Sequence, residues 1–166
     1  MQSYGPVMSD FAIRPAVPAD AAVIMALLRE LADYEKLLDE FHPSEALIIR
    51  DMTGPDPVCR CDIAWKGAEP AGIVVWYWIY RSFRARRGLY LEDLFVRQSF
   101  RGQGLGQGLL RHLAATALAA GADFMDWKVL DWNTPSIDFY KSLGAAEIPD
   151  WLDYRLEGDA LQRLAS

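Results

Sequence analysis

Apolar residues recur at every third or fourth position in the stretch that follows Pro18. This spacing places them on one face of an α-helix, and proline suits a first helical turn because its φ is already fixed. A second, short helix is predicted at 44–51 with Ser44 as a possible cap, and a long one at 105–120 with Gly121 as its stop. A fourth is predicted at 135–143, before Gly144. The apolar positions of the first helix are Ile24, Leu27, Leu28, Leu31 and Tyr34.

Short apolar runs between these helices predict strands. Residues 58–65 and 71–80 flank a Lys66-Gly67 turn and form a predicted hairpin, and residues 89–96 follow after a loop at 81–88. Further strands are predicted at 11–13, 124–130 and 151–156. This alternation predicts an α/β fold in which a mixed sheet carries helices on both faces.

The chain is long and apolar enough for one domain with a sizeable core. It has 166 residues, of which 52% are hydrophobic, and chains of this size usually fold around a single core. We expect a flexible N-terminal extension at 1–10 and a single domain at 11–166.

The balance of charge is acidic. The sequence has 17 Lys and Arg against 23 Asp and Glu, giving a formal net charge of −6. This charge argues against a nucleic-acid partner and fits attraction of small cations. The longest apolar run, at 71–80, is too short to span a membrane, and no secretion signal opens the chain, so no membrane partner and a cytoplasmic location are expected.

The thiols and imidazoles offer little metal chemistry. Cys59 and Cys61 are two apart on a predicted strand, where they would share a face with poor disulfide geometry. We expect free, mostly buried thiols. With His42 and His112 the only histidines, no metal site is expected.

A glycine-spaced turn, Arg101-Gly102-Gln103-Gly104-Leu105-Gly106, joins the predicted strand at 89–96 to the long helix. A helix start has N–H groups without partners and partial positive charge, so a glycine-rich entry lets a pyrophosphate approach closely. A Walker loop is excluded because the turn has no lysine. A dinucleotide fingerprint is excluded because Gln107 or Leu109 stands where its last glycine is needed.

The remaining pattern, Arg-x-x-Gly-x-Gly between a strand and a helix, resembles the acyl-CoA loop of the GNAT-type N-acetyltransferases. The flanking segments are similar to the diamine branch of that family, which acts on spermidine, spermine or thialysine. The resemblance covers about residues 11–156. Its motifs are Leu89-Tyr90-Leu91-Glu92-Asp93, Trp132-Asn133-x-Pro135-Ser136-Ile137-x-Phe139-Tyr140-Lys141, Gly144-Ala145, Ile13-Arg14-Pro15-Ala16 and Glu30-Leu31-Ala32-x-Tyr34-Glu35.

This resemblance implies the acetyltransferase fold, in which two central strands splay apart around acetyl-CoA. It also implies a homodimer and a set of residues that bind the donor. The implied set consists of Leu94, Phe95 and Val96 on the strand, Arg101, Gly102, Gln103, Gly104, Leu105, Gly106 and Gln107 at the loop, and Asn133, Ser136 and Tyr140 beyond it.

Acetyl transfer to an amine requires a route for the amine's proton and a proton for the departing thiolate. An alkyl ammonium has a pKa of about 10.4, so roughly one molecule in a thousand is free base at neutral pH. Glu92, at the family's acid position, is the candidate base, acting directly or through water. Asp93 would face away from it on a regular strand, so both reach one pocket only if the strand is bulged. Tyr140 is the candidate general acid, because a phenol stays protonated at neutral pH.

The acceptor pocket should gather acidic groups to hold an ammonium. Four arginines at 81–87 would repel a polycation if they face that pocket, and an acidic pair of the family is replaced by Trp151-Leu152. These departures favour a short diamine or a lysine-like amino acid such as thialysine over spermine. The candidate substrate residues are Tyr34, Glu35, Glu92, Asp93, Asp126, Trp127 and Lys128.

Other interpretations stay open. Asn133 could be only a helix cap, Tyr140 only a core aromatic beside Phe139, and the arginines only solvated or in contact with the 3′-phosphate of CoA. The whole chain could instead acetylate a protein lysine or N-terminus, or be a non-catalytic acyl-CoA sensor.

Overall fold

The computed structural model describes residues 10–166. The chain divides into two compact units, a first that extends to Lys128 and a second that comprises Val129–Ser166. The predicted extension at 1–10 lies outside the described residues except for Asp10, and the single domain at 11–166 stays a prediction. Over the described part of the chain, no helix has the length and apolar character needed to cross a membrane.

A mixed five-stranded sheet forms the centre of the first unit. Its strands are β1 (Ala12–Pro15), β2 (Arg60–Lys66), β3 (Glu69–Arg81), β4 (Arg86–Val96) and β5 (Met125–Trp127). They lie side by side in chain order, with the first three pairs antiparallel and β4 parallel to β5. The predicted hairpin and mixed sheet are confirmed.

The helices of the first unit are α1 (Ala21–Tyr34), α2 (Glu45–Ile48), which continues as a π-helical turn at Ile49–Thr53, and α3 (Leu105–Ala119). The second unit contains α4 (Thr134–Ser142) and α5 (Gly158–Ala165). Ser44 caps α2 as predicted, since its side chain accepts a hydrogen bond from the Leu47 N–H. Gly121 follows α3 with a φ of 74°, the left-handed conformation that a glycine stop requires.

Alternation along the strands assigns α1 and α3 to opposite faces of the sheet. Ile63, Ile73 and Val75 belong to a buried cluster with Ile24 and Leu27 of α1, so odd-numbered positions of β2 and β3 face that helix. On the other face, Gly72 approaches α3 so closely that an added Cβ would lie 3.3 Å from Leu109 Cδ1. The sheet is therefore covered on both sides.

Two predictions of secondary structure are wrong. Half of the predicted loop at 81–88 is strand, because Arg86 and Arg87 pair with Arg81 and Tyr80 and only residues 82–85 connect the two strands. The predicted strand at 151–156 is absent, because no described strand pairs with it and its side chains, such as Trp151 and Tyr154, are exposed. The helix α5 was not predicted. In addition, the strand predicted at 124–130 is reduced to β5.

The two central strands separate partway along their length. The pairing of β4 with β5 involves Leu89, Tyr90 and Leu91. Beyond Leu91, β4 continues to Val96, while β5 ends at Trp127 and, among the described residues, offers it no further partner. The splayed sheet implied by the resemblance is confirmed, and among the described residues the end of β4 has no strand partner on that side.

Gly88 is predicted to be required for packing at the β4–β5 junction. A Cβ at this buried position would collide with the ring of Phe124, which is itself held beneath the Arg81 guanidinium at 4.0 Å. Gly88→Ala should lower the free energy of unfolding by about 1–3 kcal/mol through overpacking. Urea denaturation would measure the loss. In a Phe124→Leu background the same substitution should cost less, and equal losses in both backgrounds would contradict the assignment.

The cysteines are free thiols, as predicted. Cys61 is buried and Cys59 is half-buried. Burial is the largest cause of the raised pKa of both thiols, and nearby carboxylates raise it further. Both side chains are therefore protonated at neutral pH.

Candidate active site

A β-bulge lies at the point where the central strands separate. Val75 pairs with Asp93 and the next residue, Trp76, pairs with Leu91, which makes Glu92 the extra residue of β4. The bulge interrupts the alternation that would otherwise send Glu92 and Asp93 to opposite faces. The structural condition for both carboxylates to serve one pocket is therefore met.

Asp93 lies in an acidic and partly desolvated setting. Burial, and after it the charges of Glu92 and Glu35, raise the pKa of Asp93 to about 7. Glu35, just after α1, has a pKa raised by burial. Asp93 thus feels the charges of two other carboxyl groups, and a cluster of this kind can attract a cation.

Tyr77 is a member of this site that the sequence did not indicate. Its hydroxyl donates to Glu92 Oε2 at 3.4 Å, and its ring stacks on Tyr90 with centroids 5.0 Å apart. Burial first, then the charge of Glu92, raises the pKa of Tyr77 to about 12. The phenol therefore stays protonated and orients Glu92. The pairing of Tyr77 with Tyr90 across the hairpin is the only signal that could have identified it.

The raised pKa of Asp93 predicts an unusual dependence of stability on pH. The folded state keeps a proton on Asp93 that the unfolded chain, in which this carboxyl has its ordinary pKa of 3.8, has lost, so stability falls as pH rises from about 4 to about 7. Asp93→Asn removes this loss and should be stabilised relative to the parent by more at pH 8 than at pH 5. The full shift sets a ceiling of about 4 kcal/mol, which solvent near this half-buried group reduces.

Urea unfolding of both proteins at pH 5 and pH 8 would test this expectation. Asp39→Asn, at an exposed position, serves as the matched control and should give no pH-dependent difference. Parallel pH curves for Asp93→Asn and the parent would contradict it.

The glycine-spaced turn forms an open entry to α3. Gly102 and Gly104 have φ of 74° and 79°, and no atom lies within 4 Å of a Cβ built on either. The Gly108 N–H donates to the Gly104 carbonyl oxygen at 2.9 Å. This is the first hydrogen bond of the helix between residues four apart. The N–H groups of Leu105, Gly106 and Gln107 lie before it and remain as donors for an anion.

Arg101 connects this loop to the rest of the site. Its Nε donates to the Val96 carbonyl oxygen at 2.9 Å, and its guanidinium lies 5.0 Å from the ring of Tyr34 and 5.7 Å from that of Phe95. The side chain thus fastens the loop to the end of β4 and to the end of α1. Its positive charge remains at the loop, as the sequence predicted.

Lys66 is a second cation at the loop that sequence reasoning missed. Its Nζ lies 3.5 Å from Gln103 Oε1 and near the rings of Phe11 and Phe100. The sequence showed Lys66 only as part of a hairpin turn. Only the fold shows that this turn lies beside residue 103.

The four arginines at 81–87 are mostly engaged with neighbouring groups. The Arg81 Nη2 is within 3.1 Å of both carboxylate oxygens of Asp126, and Arg86 pairs with Asp123 at 2.6 Å. Arg87 lies over Trp78. The predicted substrate residue Asp126 therefore already carries a counter-ion. Trp127 ends β5, with Lys128 directly after it.

The second unit places the Asn and Tyr of the sequence motif on one short helix. Asn133 is 5% exposed, and its Oδ1 accepts a hydrogen bond from the Ser136 N–H at 3.4 Å. Asn133 therefore caps α4, while its predicted contact with CoA stays a prediction. Tyr140 is half-buried on α4, with its ring tilted against Phe139 at 5.5 Å. Tyr140 therefore contacts Phe139, as its interpretation as a packing residue also expects.

Comparison with known proteins agrees with this geometry. Residues 24–145 match the acetyltransferase (GNAT) family. Thialysine N-epsilon-acetyltransferase of Sus scrofa is 36% identical over 169 residues, covering 95% of this chain and 99% of that protein. Spermidine/spermine N(1)-acetyltransferase-like protein 1 of Homo sapiens is 32% identical over 95% of this chain but only 24% of that protein.

Solved structures show the same fold. An integron cassette protein from the mobile metagenome of V. cholerae superposes with a TM-score of 0.80 at 25% identity, covering 94% of this chain and 98% of that one. The splayed sheet, the glycine-spaced loop and these matches together establish that the chain belongs to the GNAT family of acetyltransferases.

Proposed function

We propose that this protein transfers the acetyl group of acetyl-CoA to a primary amine of a small molecule. The preferred acceptor is a lysine-like amino acid such as thialysine, or a short diamine. The observation that carries this proposal is the 36% identity to a thialysine acetyltransferase along nearly the full length of both chains. The acid cluster at the β4 bulge supports it, because it suits a cationic acceptor.

The donor would be held at the end of β4 and the start of α3. The N–H groups of Leu105 to Gln107 and the charge of Arg101 suit the pyrophosphate, and the backbone of Leu94 to Val96 suits the pantetheine arm. The open space at Gly102 and Gly104 fits this use, since a side chain there would stand between the phosphates and their donors.

The acceptor ammonium would be drawn to Glu92, Asp93 and Glu35. Glu92 takes the amine's proton directly or through water, while Tyr77 holds its carboxylate in place. The free amine nitrogen then bonds to the acetyl carbon as the carbon–sulfur bond breaks. Tyr140, as general acid, supplies the proton that leaves CoA as a thiol, and the acylated nitrogen gives up its second proton, which restores the phenol of Tyr140. Asn133 and Ser136 are assigned to the CoA arm.

The arginines favour a short or zwitterionic acceptor. Arg84 is exposed at the tip of the β3–β4 connection, and Asp126 is neutralised by Arg81. The carboxylates left to hold a remote ammonium are those at 35, 92 and 93. A polyamine with further positive charges gains less from this set than an amino acid whose carboxylate an arginine can accept.

A homodimer and a cytoplasmic location belong to the same proposal. Side chains at 148–154 that are apolar and exposed support the dimer, since such patches usually mark association surfaces; they include Ile148, Trp151, Leu152 and Tyr154. Light scattering coupled to size exclusion would give twice the 18.7 kDa chain mass for a dimer.

Release of free thiol from acetyl-CoA tests the function directly. The acceptors are thialysine, lysine, 1,3-diaminopropane, spermidine, an aminoglycoside and a lysine-containing peptide. We expect turnover with thialysine or lysine and a lower kcat/KM with spermidine. Turnover with the peptide alone would overturn the small-molecule assignment. No thiol release with any acceptor, together with retained CoA binding, would exclude catalysis and favour a sensor.

A further inference from the structure

A cavity of about 420 Å³ lies in the first unit, next to the end of β1 and the start of β2. Its volume falls within the range of about 300–1,000 Å³ that is usual for small-molecule sites. The lining combines one acid, one base, two indoles and apolar groups. The residues on which the argument rests are Arg60, Asp62, Trp76, Trp78, Met52 and Pro57.

The polar groups of this cavity lie on the opposite face of the sheet from the acid cluster. Asp62 pairs in register with Val74, and its carboxylate is reached from α3 by His112. Asp93, in contrast, pairs with Val75, on the face that packs against α1. The charged groups of the cavity are therefore on the other side of the sheet from the proposed acceptor site.

Asp62 is a buried acid with unused hydrogen-bonding capacity. It is 4% exposed, and its Oδ2 accepts from Trp76 Nε1 at 2.8 Å and lies 3.2 Å from His112 Nε2. Both contacts use the same oxygen, and within residues 10–166 no hydrogen bond reaches Oδ1. Because Asp62 lines the cavity, its second carboxylate oxygen is available to an ammonium that enters it.

Arg60 provides the opposite charge at the exposed side of the cavity. Its guanidinium lies over the Trp76 ring at 5.9 Å, and it forms no ion pair with any carboxylate in the described part of the chain. Arg60 and Asp62 are two residues apart on one strand, so they share a face about 6.7 Å apart. A planar guanidinium can bind a carboxylate through two parallel hydrogen bonds.

These groups match the two charges of one small zwitterion. Asp62 would take its ammonium and Arg60 its carboxylate, since both side chains line the same cavity. Trp76 and Trp78, in edge-to-face contact at 5.1 Å, form an aromatic wall, and Met52 and Pro57 add apolar surface for a side chain. We propose that this cavity binds a free α-amino acid with an apolar side chain, independently of acetyl transfer.

Calorimetric titration with L-leucine, in the absence of acetyl-CoA, tests the proposal. Isopentylamine lacks the carboxylate of leucine, and N-acetyl-L-leucine lacks its ammonium. We expect leucine to bind with a Kd of about 1 mM or below and each analogue to bind at least about 10-fold more weakly. Quenching of indole fluorescence should follow the same titration, because Trp76 and Trp78 line the cavity.

Variants assign the binding to this cavity. Arg60→Gln, at an exposed position, and Asp62→Asn should each weaken leucine binding by at least about 10-fold. Arg29→Gln is the matched control, since Arg29 also lies over an aromatic ring, Phe41, but outside the lining. Asp93→Asn tests for leucine in the acceptor site instead.

The proposal is supported if Arg29→Gln and Asp93→Asn bind leucine as the parent does while Arg60→Gln does not. It is overturned by the absence of binding at 10 mM leucine (about ten times the expected Kd), by unchanged affinity in Arg60→Gln, or by equal affinity for isopentylamine. Loss in Asp93→Asn alone would place leucine in the acceptor site and also overturn it. None of these outcomes depends on whether the protein transfers acetyl groups.

Discussion

Gly104→Glu should abolish binding of CoA, with a loss of affinity of about 100-fold or more. The substitution places a carboxylate where no atom now lies within 4 Å, directly before the free N–H groups that open α3. A negative charge there repels the pyrophosphate and blocks its path to those donors. Isothermal titration of CoA into the purified variant would measure the loss.

Strain must be separated from this effect, because Gly104 has a φ of 79°. A side chain in the left-handed region costs roughly 1 kcal/mol on its own. Gly121→Glu is the matched control, since Gly121 has a φ of 74°, equally open surroundings and a position at the other end of α3. Both variants should lose similar stability, but only Gly104→Glu should lose CoA. Unchanged CoA affinity in Gly104→Glu would remove the loop from the donor site.

The sequence predicted best the elements whose signals are local. The long helix α3 was predicted within one residue of its observed end, because Gly121 stops it and its apolar stripe has a clear period. The helix caps at Ser44 and Asn133 could also be predicted. Each depends on a side chain that accepts a hydrogen bond from the N–H group three residues later in the chain.

Features that depend on partners distant in sequence were less accessible. The bulge at Glu92 arises from the register between β3 and β4. The sequence therefore showed only that Glu92 and Asp93 could share a pocket if a bulge were present. The loop predicted at 81–88 is shortened to residues 82–85, because arginines, which are poor markers of a strand, pair across the hairpin on either side of it. The alternating segment at 151–156 resembles a strand in isolation, but a strand forms only where a neighbour accepts its hydrogen bonds.

The candidate site shows the same division between local and distant signals. Glu92, Gly104 and Tyr140 were identified from motif positions. Tyr77 and Lys66 were missed, since each acts through a contact with a residue far along the chain, Glu92 and Gln103 respectively. Asp126 was predicted to bind the substrate, and only the parallel pairing of β5 with β4 shows why Arg81 reaches it.

Tyr140→Phe should lower kcat by roughly 10²–10⁴-fold, which is the usual contribution of a general acid, while changing the affinity for acetyl-CoA little. The substitution removes one hydroxyl and keeps the ring, so the contact with Phe139 is retained. Without a proton donor, the amine must displace a bare thiolate. If Tyr140 were only a packing residue, the variant would turn over at the parent rate. Steady-state thiol release combined with calorimetry of CoA binding separates these outcomes.

Tyr154→Phe is the matched control for this prediction. Tyr154 belongs to the same unit and is 91% exposed, so loss of its hydroxyl should leave kcat and CoA affinity unchanged. The rate of Tyr140→Phe should also recover in part with a donor whose leaving thiol is more acidic than CoA, because such a thiolate departs without protonation. An equal defect with both donors would mean that Tyr140 acts on binding or orientation, and a parent-like kcat with CoA itself would exclude it as the acid.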